Sequence, residues 1–501
     1  MKNQKPVFIL IVTAFASFLA TFNETFLNIA FTPIMKDFNV EVSTVQWLTT
    51  AYMLGAAIMV PISSFMYRKF PTKPLFLFTV GLLIVGSVIG ALAKSFGILL
   101  TGRIIQALGT GMLIPIGMNI TLSIVPKEKI GTYMGVMGAM TTLGPSLSII
   151  GAGTILNFAP WNCLFIIFSF LTTILFVLGL IILGKTEIKE KPNLDILSVI
   201  FISLSLIGIL YGVSTIFTGN IIIALTTIII GIIFLILFVK RQNKIKEPLI
   251  NLKPLSVKQF KIGIILNMLA LMIVFSMNII MPLFIQNALN VSAFTASLTL
   301  FPAVILSCVI SPIAGKIYDK QGVKTIIPLG FLLMFVFVLL LGLTREMNSL
   351  ILITLLYIPV ICGSALVIGP VQSFALSHLS RELNSHGVTM ISTGFQIAGC
   401  VGSSLFPGVY SLVLGFSMVE KSEFESLSFA FFVTLLVAVI IGVIGFVLAL
   451  LIRKDARKDE LVRYLELGSI IQISIRDKFY NAEIIKKPFI EKRNKKVKPK
   501  C

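Results

Sequence analysis

The chain has 501 residues, of which 56% are hydrophobic and 12% charged, with a formal net charge of +20 and a mean hydropathy of +1.00. A soluble chain of this length carries far more polar surface, so composition places most of it in lipid. The isoelectric point near 9.8 is then explained by an anionic membrane surface rather than by nucleic acid.

Apolar runs of about 20 residues, long enough to cross roughly 30 Å of hydrocarbon, recur along the sequence. In chain order the expected spans are 7–31, 46–66, 75–94, 97–120, 130–156, 162–184, 194–216, 219–239, 260–285, 293–315, 324–343, 349–371, 387–414 and 428–452. The first run is too long for a secretory core and has no small-residue cleavage site after it, so it reads as a retained helix. With the N-terminus inside, only Lys36, Lys94, Arg345 and Lys421 fall on outer loops, and Arg103 lies within a span. That leaves 36 of the 41 basic residues on inner loops and tails, the bias that sets orientation. A miscount by one helix would invert every later loop, so the even count and the N-in, C-in topology are expected together.

Residues 453–501 carry 15 basic and 7 acidic side chains, densest from Lys486 to Lys500. They read as a cytoplasmic tail near anionic lipid of the inner leaflet, with alternation at Ile471, Ile473 and Ile475 suggesting a short ordered piece. Cys163, Cys308, Cys362 and Cys400 lie at or within spans, and Cys501 ends the tail. No metal spacing or disulfide framework is implied.

Only two charged residues, Glu24 and Arg103, fall well inside spans. A charge at the bilayer centre costs about 3 kcal/mol on insertion scales, so such residues pair, face a water-filled cavity and mark ion or substrate pathways. Counted from the outer ends of spans one and four, both lie about 10 Å deep at 1.5 Å per residue. An ion pair, direct or through water, is geometrically allowed. A static structural pair is the competing reading.

The chain also repeats internally. The loop after span ten reads Gly315-Lys-Ile-Tyr-Asp319-Lys-Gln-Gly322-Val-Lys324, and the loop after span two reads Phe65-Met-Tyr-Arg68-Lys69-Phe-Pro71-Thr-Lys73. Two six-helix halves related by a pseudo-twofold axis produce such a pair. The expected partition is 1–190, an extra helical pair at 191–245, 246–455, and the tail 456–501.

On these motifs the chain resembles the major facilitator superfamily, and specifically its fourteen-helix drug:proton antiporter branch. The first-helix signature is Asn23-Glu24-Thr25-Phe-Leu-Asn28-Ile-Ala30. The fourth-helix signature is Gly102-Arg103-Ile-Ile-Gln106-Ala-Leu-Gly109-Thr-Gly111, ending at Pro115. The second-half loop fits the family's Gly-x-x-x-Asp-x-x-Gly-x-Lys pattern. The helix-five antiporter motif is partial, with Gly138, Gly144 and Pro145 in place and Ser148 where glycine is usual. Arg68 stands at the usual Asp position of the first-half loop, and Pro71 at a usual Gly. In span one Asn23 occupies the usual Asp position and Glu24 follows it, a step that turns a helical side chain by about 100°.

The resemblance implies an all-α polytopic membrane protein of the major facilitator fold, in a bacterial plasma membrane. It also implies proton-coupled export of amphipathic, cationic or zwitterionic drugs by alternating access. Glu24 and Arg103 would couple protons, with Asn23, Asn28, Gln106 and Gln286 as supporting polar groups. Gly315, Asp319, Gly322 and Lys324 would form a gating loop. The working unit is expected to be a monomer with no cofactor beyond protons, no metal and no nucleic-acid partner. Further cavity candidates are Gln46, Asn119, Asn278, Gln372 and Gln396, with Phe22, Phe26, Met277, Met281 and Phe284 as apolar lining. His378 and His386 read as interfacial loop residues. There is no Gly-x-x-x-x-Gly-Lys for ATP and no catalytic constellation. Alternatives are an exporter of an endogenous lipid, peptide or metabolite, or a membrane scaffold that transports nothing.

Overall fold

The computed structural model describes residues 6–184, 193–217, 220–380, 382–417 and 422–452, and two strands at 470–475 and 478–483. The basic stretch 185–191, Lys421, the run Lys486–Lys500 and Cys501 lie outside the described residues. The chain divides into two compact units, residues 1–452 and 453–501. In the second, β1 (Ile470–Ile475) and β2 (Lys478–Glu483) pair antiparallel, with Ile470 opposite Glu483.

Fourteen helices among the described residues are long and apolar enough to span a membrane. They are α1 (Val7–Phe38), α2 (Trp47–Lys69), α3 (Thr72–Ala91), α4 (Phe96–Ile124), α5 (Ile130–Leu156), α6 (Asn162–Ile182), α7 (Ile196–Thr215), α8 (Ile221–Gln242), α9 (Lys258–Leu289), α10 (Phe294–Gln321), α11 (Ile326–Leu343), α12 (Leu350–Ser377), α13 (Asn384–Ser417) and α14 (Glu423–Leu450). Each matches one expected span. The largest difference is at α1, which runs on to Phe38 instead of ending near residue 31. There Asn39 closes it in the left-handed conformation (φ 49°), its N–H bonded to the Met35 carbonyl, a C-cap role that Asn tolerates. The hydropathy falls before the helix stops, because Lys36 and Asp37 belong to its last turns.

Along α1 the pitch changes. Residues Pro6–Thr25 are α-helical, Phe26–Ala30 form a 3-10 turn, and Phe31–Phe38 resume the α-helix. A mid-helix 3-10 stretch is where hinges and strained sites concentrate. Here it follows Asn23-Glu24-Thr25 directly.

The helices pack as two six-helix halves, α1–α6 and α9–α14, with an extra pair, α7 and α8. Within the first half α3 lies along α4 and α2 along α4. Within the second, α11 lies along α12 and α9 along α13. Small residues permit the closest approaches. A Cβ on Gly102 would meet the Gly86 carbonyl, and one on Gly109 the Thr79 carbonyl, so α4 packs backbone to backbone on α3. The extra pair docks through α7 on both α2 and α13. Cys400 on α13 donates to the Leu210 carbonyl of α7.

α5 of the first half has partners on both sides of the inter-half seam. α5 packs on α10 and α12, and also on α1. Described hydrogen bonds between the halves lie in the half of the bundle that carries the N-terminus and the basic loops, here termed the basic face. Ser311 donates to the Gly135 carbonyl (2.7 Å), Ser373 to Ile130 (3.5 Å), and Cys308 contacts Ala139 (3.9 Å). One hydrophobic cluster joins first-half residues such as Val12 and Met134 to Phe260, Leu376, Val388 and Ile391 at that same end. Towards the opposite face a small cleft between the halves is lined by Ser146 and Ile150 of α5, Asn278 and Pro282 of α9, and Ser297 of α10. The molecule is shut on its basic face.

Candidate functional site

Arg103 is fully buried (0% exposed), the largest side chain so enclosed. Its Nη1 donates to the Asn23 carbonyl (3.0 Å), to Asn23 Oδ1 (3.1 Å) and to Gln106 Oε1 (3.0 Å), and its Nε reaches the Leu48 carbonyl (3.4 Å). The guanidinium carbon lies 4.0 Å from the centre of the Tyr52 ring and 5.5 Å from that of Phe26. A desolvated cation–π contact of this kind contributes about 2 kcal/mol. Second contacts fix these partners in turn. Gln106 Nε2 donates to Ser87 Oγ (2.8 Å), and the Tyr52 hydroxyl shares a 2.6 Å hydrogen bond with Thr110. Four helices, α1 to α4, therefore hold one arginine with neutral groups.

Glu24 takes no part in that network. It is 2% exposed, its Oε2 has no hydrogen-bond partner, and it forms no ion pair with Arg103. The direct pair that the sequence allows is not made. The helical turn between neighbours is the reason: Asn23 points at Arg103, so Glu24 is rotated away. Asn23 Nδ2 and Arg103 Nη2 are also buried without partners. Such buried unsatisfied atoms are uncommon, since each costs roughly 1–3 kcal/mol.

The remaining expected site residues divide. Gln106 joins the Arg103 network, whereas Asn28 is exposed and accepts from Thr49 (2.6 Å). Gln286 donates to the Pro282 carbonyl of its own helix (3.1 Å), and Asn119 likewise to Pro115 (2.9 Å). Gln46 is exposed just before α2, and Gln396 is buried. Gln372 is buried against Asn267 (3.3 Å), and Asn278 lines the cleft. Met277, Met281 and Phe284 lie in the second-half core instead of a binding pocket, and Phe284 stacks on Phe431 at 3.9 Å. Their apolar side chains find closer packing there than an open cavity offers. Phe22 and Phe26 stack with Phe168 beside the Arg103 network.

On α5, a Cβ at Gly144 would overlap Thr21 and approach the Phe22 nitrogen at 2.8 Å. This glycine therefore lets α5 press on α1 one turn before Glu24. Pro145 follows inside the same helix, and Gly138 lies in ordinary contact with Gly369 of α12 (3.5 Å). Ser148, in place of the usual glycine, bonds Thr25 (2.7 Å).

The expected gating loop is mostly helix: α10 runs on to Gln321, past the expected end at 315, so Gly315 and Asp319 lie in its last turns and form a latch there. Asp319 Oδ1 accepts from the Gly131 N–H (2.7 Å), and Oδ2 from the Thr132 N–H (2.9 Å) and hydroxyl (2.7 Å). The carboxylate thus sits on the first backbone donors of α5, where unpaired N–H groups and the helix dipole favour an anion. Gly315 lies against the Gly131 backbone with no room for a Cβ. Gly322 ends α10 at φ 77°, in the region glycine adopts freely. Lys324 is exposed.

His386 is not a loop residue. It is the third residue of α13 and buried, with its Nδ1 3.1 Å from the Asn251 nitrogen and 3.3 Å from Ser64 Oγ. His378 caps the end of α12, its Nδ1 2.8 Å from the Phe374 carbonyl. Sequence reading also passed over Tyr52 and Ser87. Nothing in their local pattern distinguishes them from other helix residues.

Two packed six-helix halves, the first enclosing a buried arginine, with an extra helix pair, define a polytopic membrane-transport fold. The family model for the Major Facilitator Superfamily matches residues 13–403, and the chain belongs to that family. It is 32% identical to the uncharacterized MFS-type transporter YcnB of Bacillus subtilis, over 89% of this chain and 94% of that one. It is also 32% identical to the lincomycin resistance protein LmrB of Bacillus subtilis, over 81% and 85%. The crystal structure of the human organic anion transporter MFSD10 matches with a TM-score of 0.60 at 12% identity. That match covers 89% of this chain and 100% of that one, and it shows a shared fold. The chain is a multi-pass cell-membrane transporter, and transporters of this family are not enzymes.

Proposed function

We propose that this transporter is a proton-coupled antiporter that exports amphipathic, cationic or zwitterionic compounds, with its basic face inside the cell. The observation that carries this reading is Glu24: a buried carboxyl with an unpartnered oxygen, beside an arginine already held by neutral groups. Such a group is satisfied either by a proton or by a cation, and one excludes the other. Exchange of the two is antiport. The relative named for lincomycin resistance supports drug-like cargo.

In the proposed cycle, Glu24 is protonated from outside and carries its proton while the outer side closes. The basic-face seam then opens as Asp319 leaves the start of α5. A cationic substrate entering from inside displaces the proton, and the seam closes again. Arg103 keeps a positive charge beside the site, so a second cation is disfavoured while the first is bound. The anionic inner leaflet and the basic loops would hold the protein in register with the membrane.

Glu24→Gln tests the assignment. In inverted vesicles with an imposed pH gradient, the variant is expected to fold and to lose pH-driven transport of a monovalent cationic dye. Undiminished proton-driven transport in that variant would overturn the proposal. A single acid exchanging one proton also makes monovalent cations better substrates than divalent ones.

A further inference from the structure

The two copies of the loop can be aligned residue by residue, with Tyr67 matching Tyr318, Lys69 matching Lys320, and Lys73 matching Lys324. In that register Arg68 occupies the position of Asp319. The second-half copy supplies its own carboxylate to the start of α5. At the corresponding place in the first half, α2 ends in Arg68 and Lys69 with no acidic residue, and it faces the start of α13.

A cavity of about 670 Å³ lies there. Three parts of the chain build it: Arg68 of α2, Lys246 and Lys253 of the connector before α9, and Ser380 and His386 at the α12–α13 turn. The Arg68 Nη2 donates to the Pro248 carbonyl (3.4 Å), which tethers the guanidinium to the connector. His386 accepts the Asn251 N–H through Nδ1 (3.1 Å). Its proton therefore resides on Nε2, which makes no hydrogen bond to a described residue. Two carboxylates also line the cavity. Glu247, which accepts the Asn193 N–H (3.1 Å), and Glu382 thus face three cations, which leaves the lining cationic by one charge.

We propose that this cavity binds a phosphate-bearing anion, which does for α2, the connector and α13 what Asp319 does for α10 and α5. A tetrahedral phosphate has enough acceptor oxygens to meet a guanidinium, two ammonium groups and an imidazole N–H at once. Bound there, it ties segments from both halves together and favours the conformation shut on the basic face. The inference does not depend on the proposed cargo or on proton coupling.

The chemistry has two sources, an anionic lipid headgroup or free phosphate, and the test separates them. The purified full chain is placed in phosphatidylcholine nanodiscs, with or without phosphatidylglycerol, and titrated with inorganic phosphate while thermal unfolding is followed. Stabilisation by phosphatidylglycerol alone assigns the lipid headgroup, and stabilisation by inorganic phosphate assigns the free anion. Arg68→Gln and Lys253→Gln are each expected to weaken the midpoint concentration about tenfold, the loss typical of one charge-assisted hydrogen bond. Lys253 is exposed on the connector, so its variant stays informative if the Arg68 variant folds poorly. Lys69→Gln, outside the cavity, is expected to leave the response intact. The proposal fails if neither anion stabilises the wild type, or if Lys69→Gln loses as much as the other two.

Discussion

The ends of α2 and α10 share one sequence pattern but meet their partner helices in opposite ways. At the end of α10, Gly315 allows backbone contact with α5, and Asp319 caps its first turn with three hydrogen bonds. At the end of α2, Ser64 and Arg68 hold the same two positions. Ser64 reaches His386, and Arg68 reaches the Pro248 carbonyl. One copy is thus a self-contained latch, whereas the other is a cationic receptacle that leans on the connector. The difference shows how two copies of one motif become asymmetric: different side chains at matched positions give each seam its own partner.

Substitutions at matched positions are the way to test this contrast. Gly315→Ala has the largest expected effect. Its methyl group meets the Gly131 backbone, which cannot rotate aside as a side chain can, so closure on the basic face loses about 3 kcal/mol. Cross-linking between cysteines placed on α5 and α10 should drop sharply, and cross-linking at wild-type level would refute the close contact. Asp319→Asn comes next, at about 2 kcal/mol, because charge-assisted bonds to the α5 donors become neutral. Its thermal unfolding midpoint should fall clearly below that of Arg68→Gln in the same lipid. Equal losses at the two positions would abolish the distinction between latch and receptacle.

Ser64→Ala removes one hydrogen bond and should cost about 1 kcal/mol, well short of Gly315→Ala at the matching position. The smallest effect lies in the extra pair, outside both copies. There Arg241 grips Asp195 through two 2.6 Å hydrogen bonds, and these hold the Asp195 carboxyl down to about 2. Its folded value lies below the unfolded one of about 3.9. The contribution is therefore present above pH 4 and is lost as pH falls towards 2. Wild type and Asp195→Asn should differ slightly in unfolding midpoint at pH 5 and converge near pH 2. A constant difference down to pH 2 would mean that the pair contributes nothing.

Much of the architecture was legible because insertion into lipid depends on summed residue hydrophobicity, which needs no knowledge of neighbours. All fourteen spans follow from it, as do the isolation of Glu24 and Arg103 and the pairing of the two loops. The end of α1 was not legible, since Phe31–Phe38 mixes apolar residues with Lys36 and Asp37 and so resembles a loop on hydropathy alone. His386 was misplaced for a related reason. Polar residues opened α13, and only the connector folding back through Asn251 buried the ring.

What the sequence by itself determined was that one acid and one base lie at membrane depth in α1 and α4. The tertiary structure alone decided that they do not pair. A helix turns about 100° per residue, so the neutral Asn23 faces Arg103 and the acid next to it faces elsewhere. Which of two neighbours meets a partner depends on the rotation of each helix about its axis and on the pitch change at Phe26. Both are set by packing against α2, α4 and α5, and composition carries no record of them.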